Sequence, residues 1–255
     1  MSVLERFRLN GRRALITGSS TGIGFALAQA LCEAGAHVVL NGRDATRLAQ
    51  AEKKLLDVGL DVSTCGFDVT DAQAVQSGVA AIDAQGPLDI LINNAGIQIR
   101  TPLHEFDVDN WRRLLQTNLD SAFYVGQAVA KKMIPRGTGK IINICSVQSE
   151  LGRPGIAPYM ASKGALKMLT KGMAIDWGPL GLQVNGIGPG YYKTELNEKL
   201  VADENFTEWL VNRTPSRRWG NVEELGPAAV YLASDASSFV NGHILYVDGG
   251  VTASL

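Results

Sequence analysis

The stretch R-R-A-L-I-T-G-S-S-T-G-I-G, Arg12 to Gly24, changes character halfway along. Arg12 to Thr17 is a short apolar run of strand length, and Gly22 to Ala34 then places Ile23, Leu27, Ala30 and Leu31 on one face of a helix. Strand, glycine turn and helix in that order form a phosphate-binding unit. Gly18 makes the turn, Gly22 lets backbone approach a pyrophosphate, and Gly24 lets the helix pack close against the strand. The helix start adds unpaired N–H groups and the positive end of its dipole. The spacing is G-x-x-x-G-x-G, a variant of the dinucleotide loop. The same residues also spell G-x-S-x-G, a hydrolase elbow with Ser20 as nucleophile. An elbow needs an oxyanion loop from an earlier strand, and nothing upstream of Arg12 supplies one.

Outward from this unit the alternation continues. Strands are expected at His37–Asn41, Val62–Phe67, Leu88–Asn93, Lys140–Cys145, Gln183–Ile187 and Ile244–Val247. Between them lie helical stretches at Asp44–Leu56, Asp71–Ala84, Asp109–Met133 and Pro158–Trp177. Short apolar strands alternating with longer helices predict an α/β fold: a single-domain, doubly wound (Rossmann-type), seven-stranded parallel sheet with helices on both faces, spanning 1–255. The stretch at about 191–218 is amphipathic, carries Trp209 and sits between the sixth strand and the last helix; it reads as a lid over a pocket.

Composition narrows the function. With 24 basic against 25 acidic residues the chain has no basic stripe for nucleic acid. No apolar run reaches the roughly 18 residues of a membrane span, and Met1 to Asn10 lacks the apolar core of a secretory signal. Cys32, Cys65 and Cys145 lack C-x-x-C spacing, which argues for reduced thiols, a cytoplasmic setting and no metal site.

The end of the second strand selects the dinucleotide. NAD wants an acidic residue there for its ribose, and NADP a basic one for its 2′-phosphate. The sequence offers Asn41-Gly42-Arg43, with no acid, and Arg43 can grip a phosphate with two donors. NADP is therefore expected. Asp68, followed by Val69, could accept from the adenine amino group or simply cap a turn, a task open also to Thr70 or Asp71.

Tyr159 and Lys163 are spaced i, i+4 and share a helical face. An ammonium beside a phenol favours the phenolate, so Lys163 is expected to lower the Tyr159 pKa. The hydroxyl could then pass a proton to or from a carbonyl oxygen during hydride transfer. Ser146, thirteen residues upstream at a strand end, could hydrogen-bond the same oxygen.

The glycine loop, Asn93-Asn94-Ala95-Gly96, Ser146 and the Tyr159/Lys163 pair together resemble the short-chain dehydrogenase/reductase family over nearly the whole chain. The resemblance implies a catalytic set of Asn118, Ser146, Tyr159 and Lys163. Asn118 would bend a helix and hold a water on the lysine. It implies a cofactor site of Gly18, Ser20, Thr21, Gly22, Ile23 and Gly24; of Asn41, Arg43, Asp68 and Val69; of Asn94, Ala95 and Gly96; and of Tyr159, Lys163, Pro189, Gly190 and Thr194. Many NADP-using members carry a basic residue inside the glycine loop, where this chain has Ser19, Ser20 and Thr21. Phosphate recognition then rests on Arg43, and weaker use of NAD is expected alongside.

The stretches N-I-C-S-V-Q-S-E-L-G-R (Asn143–Arg153), A-G-I-Q-I-R (Ala95–Arg100) and R-T-P-S-R-R-W-G (Arg213–Gly220) are similar to the branch of the family that interconverts D-gluconate and 5-keto-D-gluconate. A sugar-acid substrate needs a cation and several hydrogen-bonding groups. Arg100 could pair with its carboxylate and Gln148 could hold its hydroxyls, with Glu150, Arg153 and Tyr192 close by in sequence. Other carbonyls, such as a 3-oxoacyl thioester or another polyol, stand as alternatives. A non-catalytic dinucleotide sensor is disfavoured by the intact catalytic set. The family also implies a homotetramer built on two long helices and the last strand, to which Leu114, Phe123 and Ile244–Val247 could contribute.

Overall fold

Seven short strands carry the fold: β1 (Arg13–Ile16), β2 (His37–Leu40), β3 (Val62–Thr64), β4 (Ile90–Asn93), β5 (Gly139–Ile144), β6 (Leu182–Pro189) and β7 (Ile244–Val247). In the computed structural model, which describes residues 2–254, they form one parallel sheet in the order β3-β2-β1-β4-β5-β6-β7. Alternation along each strand divides the core in two. Ala14, Ile16, Val38, Leu40, Ile90, Ile92 and Ile142 face one side, where they meet Leu27 and Leu31 of α1 (Gly22–Glu33), Leu48 and Leu55 of α2 (Ala45–Leu56), and Leu232, which lies further along the chain. Leu15, Val39, Leu91, Ile141 and Val184 face the other, against Val75 and Val79 of α3 (Ala72–Asp83) and Val125 and Val129 of a later helix. Both faces are covered, as the near-continuous apolar strands require.

The helices begin where their caps dictate. Asp44 accepts from the Thr46 and Arg47 amides and Asp71 from those of Gln73 and Ala74, so Asp71 caps α3. Asp107 caps α4 (Val108–Leu115) in the same way. The single helix expected over 109–133 is instead interrupted. Gln116–Asp120 forms a π-helical turn, after which α5 (Ser121–Met133) resumes. Then come α6 (Ala157–Trp177), α7 (Glu198–Val201), α8 (Glu204–Arg213) and α9 (Gly226–Ala233). Among the described residues no helix is long and apolar enough to cross a membrane, and the three cysteines are unpaired thiols.

The chain runs outward through β1, β2 and β3, then returns to place β4 beside β1 (Ala14 opposite Ile90, Ile16 opposite Ile92). A crevice opens at such a reversal, beyond the carboxyl ends of the strands.

Candidate active site

That crevice is a cleft of about 870 Å³, lined from the glycine loop at one end to Tyr159 and the segment after β6 at the other. Gly18 and Gly22 adopt left-handed backbone, with φ of +61° and +58°. A methyl on Gly24 would lie 2.4 Å from Asn94 Nδ2 and 2.5 Å from the Gly18 carbonyl, so helix and loop pack with no room for a side chain. The loop is tied to the end of β4. Asn94 Nδ2 donates to the carbonyls of Thr17 and Gly18, both at 2.9 Å, and Thr17 Oγ1 accepts from the Asn94 and Ala95 amides. Ser20, Thr21, Ile23, Asn94, Ala95 and Gly96 all line the cleft.

At the far end of β2, Arg43 reaches into the same space. Its Nη1 stands 3.3 Å from Asp68 Oδ2, and both side chains remain open to solvent. Asp68 also accepts from the Thr70 amide and hydroxyl, and these contacts with Arg43 outweigh burial and lower its pKa. Val69 is buried beside it. Asn41 borders the cleft but spends its side chain inside the fold. Its Nδ2 donates to the Cys65 and Phe67 carbonyls and holds the ends of β2 and β3 together. Arg47, one turn into α2, also faces the cleft, a position not singled out in the sequence.

At the opposite end, Ser146 leaves β5 buried, its Oγ accepting from the Gln148 amide at 3.1 Å. The first two turns of α6 bring Tyr159 and Lys163 to the same floor, with Lys163 Nζ 5.8 Å from the tyrosine ring centre. Lys163 Nζ donates to the Ile144 carbonyl at 2.7 Å. The expected depression of the tyrosine pKa is not found. Burial pushes Tyr159 up to about 12, partly opposed by a hydrogen bond from Ser146 and the charge of Arg100. Burial likewise draws Lys163 down to about 8. Desolvation decides both values, because the lysine spends its hydrogen bond on backbone rather than on the phenol.

Asn118 sits in the π-helical turn, buried. Its Oδ1 accepts from the Ile97 amide at 2.7 Å, while Nδ2 donates to the Ile97 carbonyl at 2.9 Å and to Ser162 Oγ at 3.2 Å. It thus joins the loop following Gly96 to the helix that carries Lys163, with no direct bond to the lysine. Pro189 ends β6 and Gly190 follows it, both over the cleft, and Thr194 Oγ1 is buried there without a partner.

The substrate candidates divide. Gln148 faces the cleft, its Nε2 donating to the Tyr191 hydroxyl at 3.2 Å and its Oε1 buried without a partner. Arg100 lines the same space, held by Gln98 Oε1 and Asn197 Oδ1 at 2.9 and 3.2 Å. Glu150 does not belong to the cleft. It is exposed on the far side, bonded to Lys167 and to the Tyr246 hydroxyl. A 3₁₀ turn over Val147–Ser149 rotates successive side chains by a third of a circle, which turns Glu150 away from the face that Gln148 occupies. Tyr192 borders the cleft but is core, its hydroxyl bonded to the Val247 carbonyl and its ring against Gly220. Its neighbour Tyr191 is the tyrosine that presents its hydroxyl, since adjacent side chains in extended backbone point oppositely.

A loop for phosphates, a hydroxyl pair and a buried lysine at the switch point of a parallel sheet define a dinucleotide-dependent oxidoreductase. A family model described as enoyl-(acyl carrier protein) reductase matches residues 18–252, and the chain belongs to the short-chain dehydrogenase/reductase family. It is 62% identical to the gluconate 5-dehydrogenase of Gluconobacter oxydans (strain 621H) across 100% of both chains. It is 49% identical to the 5-keto-D-gluconate 5-reductase of Escherichia coli (strain K12), over 98% of this chain and 99% of that one. A crystal structure of a gluconate 5-dehydrogenase from Burkholderia cenocepacia J2315, in complex with NADP and tartrate, has a TM-score of 0.97 and 55% identity, with 100% of each chain covered.

Proposed function

We propose that this chain is an NADP-dependent oxidoreductase interconverting D-gluconate and 5-keto-D-gluconate, with Asn118, Ser146, Tyr159 and Lys163 as its reactive centre. The observation that carries this reading is the meeting, in one cleft, of the glycine loop with the Ser146 and Tyr159 hydroxyls. The named activity of the full-length relatives supports the substrate, and the NADP and tartrate of the solved neighbour, a nucleotide and a polyhydroxy acid, support both ligands.

Two features fit the nucleotide. A methyl on Gly22 would meet nothing within 4 Å, which leaves bare backbone toward the cleft, and Thr194 Oγ1 awaits a partner. Residues Gly18 to Gly24 would hold the pyrophosphate and Arg43 the 2′-phosphate. Asp68 and Val69 would hold the adenine, Asn94 to Gly96 the adenosine side, and Pro189, Gly190 and Thr194 the nicotinamide amide. When bound, NADPH supplies the hydride. In reduction, Ser146 Oγ hydrogen-bonds the substrate carbonyl oxygen and Tyr159 gives that oxygen its proton as the carbon accepts the hydride. A phenol held neutral by burial suits the acid role. In oxidation the substrate hydroxyl returns its proton to Tyr159, and Lys163, on the same helical face, closes the floor of the site beside it. Asn118 positions both by fixing Ile97 and Ser162.

Residues 191–218 serve as the lid of this single domain, with Tyr191, Glu195, Leu196 and Leu200 already forming cleft wall. The working form is a cytoplasmic homotetramer. Phe123 on α5 and β7 at the sheet edge remain available for it, whereas Leu114 is consumed by the chain's own core.

Purified protein with NADPH and 5-keto-D-gluconate should consume the cofactor, and turnover of a 3-oxoacyl thioester instead would move the assignment. Tyr159→Phe should lower kcat by about 10²- to 10⁴-fold while NADPH still binds.

A further inference from the structure

Arg153 lies on the loop between β5 and α6 and lines the cleft. Its Nε is buried without a hydrogen-bond partner. The guanidinium is parked over the Phe206 ring, 4.8 Å from its centre. Among the charges around it is a second cation, Arg100, whose pKa is lowered by burial and then by the charge of Arg153. A partly buried guanidinium facing another cation, with an unused donor, is an unfavourable arrangement unless an anion completes it. The neighbouring groups are complementary to one particular anion. The Tyr191 hydroxyl accepts from Gln148, so its proton is left to donate. Gln148 Oε1 is a buried acceptor without a donor. Donors for a carboxylate thus stand beside an acceptor for a hydroxyl.

We infer that Arg153 is a specificity-determining residue that binds the substrate carboxylate, with the Tyr191 hydroxyl as second donor and Gln148 Oε1 taking a hydroxyl of the same molecule. This rests on the sugar-acid reading and deepens it. Phe206 belongs to α8, in the segment proposed as the lid, and forms an aromatic cluster with Tyr191, Trp209 and Trp219. Arg153 therefore ties acid recognition to the lid: the cation that reads the carboxylate rests on a lid side chain. A neutral polyol would leave the arginine pair uncompensated.

The test uses full-length protein loaded with NADP. D-Gluconate and its uncharged counterpart D-glucitol are titrated against tryptophan fluorescence, and kcat and KM are measured with 5-keto-D-gluconate. Arg153→Met should raise the D-gluconate dissociation constant and the KM about 10- to 100-fold, toward the D-glucitol level. D-Glucitol and NADPH binding should stay within about twofold, and kcat should change far less than KM. Arg153→Lys keeps the charge and loses the fork, so it should show a smaller rise confined to the acid. It decides the matter if the methionine variant does not fold. Equal losses for acid and polyol, or none, overturn the inference while leaving the proposed activity standing. Arg153-dependent D-gluconate binding without turnover of 5-keto-D-gluconate would keep the inference and remove the activity. A wild-type protein that does neither removes both.

Discussion

Arg43 and Asp68 face each other at 3.3 Å across the mouth of the adenosine end, and both are well exposed. An exposed pair of this kind stabilises the fold by less than about 1 kcal/mol, so Arg43 can exchange its partner for a phosphate at little cost. Arg43→Ala should weaken NADPH by about 10- to 100-fold, the worth of charge-assisted hydrogen bonds, and barely change NADH. Equal losses in paired binding titrations would refute a phosphate role. The titrations of Tyr159 and Lys163 predict a pH response. Tyr159 keeps its proton to about pH 12 when folded, above its ordinary value of 10.0, so it contributes stability that is lost as pH climbs through that interval. Lys163 releases its proton near pH 8 when folded, below its ordinary 10.5, so stability rises with pH between those values. Chemical denaturation followed from neutral to strongly alkaline pH should therefore show a gain and then a loss, each blunted by Lys163→Met or Tyr159→Phe respectively. Oxidation of D-gluconate, which needs the phenolate, should accelerate with pH across the alkaline range, and reduction should not. The convergence of Tyr159 and Lys163 on one cleft was legible in the sequence because spacing on one helix face survives folding. The Tyr159 pKa was not, because desolvation depends on what surrounds the ring. Glu150 was turned out of the cleft by a single rotation of backbone, and Tyr192 borders it with its hydroxyl spent on the Val247 carbonyl, which no composition reveals.

At the scale of elements, β1, its glycine turn and α1 behave as one rigid unit locked to β4 by Asn94 and Thr17. Gly24→Ala pushes a methyl against Asn94 Nδ2 and the Gly18 carbonyl, and the displacement should cost about 1–3 kcal/mol and weaken cofactor binding besides. Asp71→Ala should cost about 1 kcal/mol through the lost cap and leave NADPH affinity unchanged. Thermal melting and a binding titration on the two variants separate general destabilisation from damage to the loop. The start of α2 at Asp44 was readable because Asp there bonds the first amides locally, whereas the cap of α3 was open among Asp68, Thr70 and Asp71 until the fold put Asp71 there. The π-helical turn at Gln116–Asp120 was implied only by the resemblance, in which Asn118 bends a helix, since nothing in its own sequence departs from helical pattern. What favours it is distant: Asn118 gains three hydrogen bonds to Ile97 and Ser162 that a regular helix would direct elsewhere. Such insertions into helices recur at functional sites.

For the whole molecule, large apolar side chains remain exposed on two neighbouring helices: Phe123 on α5 at 42%, Met168 on α6 at 60% and Ile175 on α6 at 74%. Buried against copies of the same chain, they would account for the proposed tetramer. The double change Phe123→Asp and Ile175→Arg should reduce the mass measured by light scattering, while wild-type protein that is already monomeric would dismiss the tetramer. The sheet order also bears on how this protein is made. Residues through β3 are sufficient for only three strands, with β1 at their rim. Ala14, Leu15 and Ile16 have no exposed surface in the finished protein, yet their open side stays bare until β4 leaves the ribosome. A nascent chain paused between Thr64 and Ile90 thus presents an apolar, unpaired strand edge to the cell, and that interval is where a chaperone has most to shield.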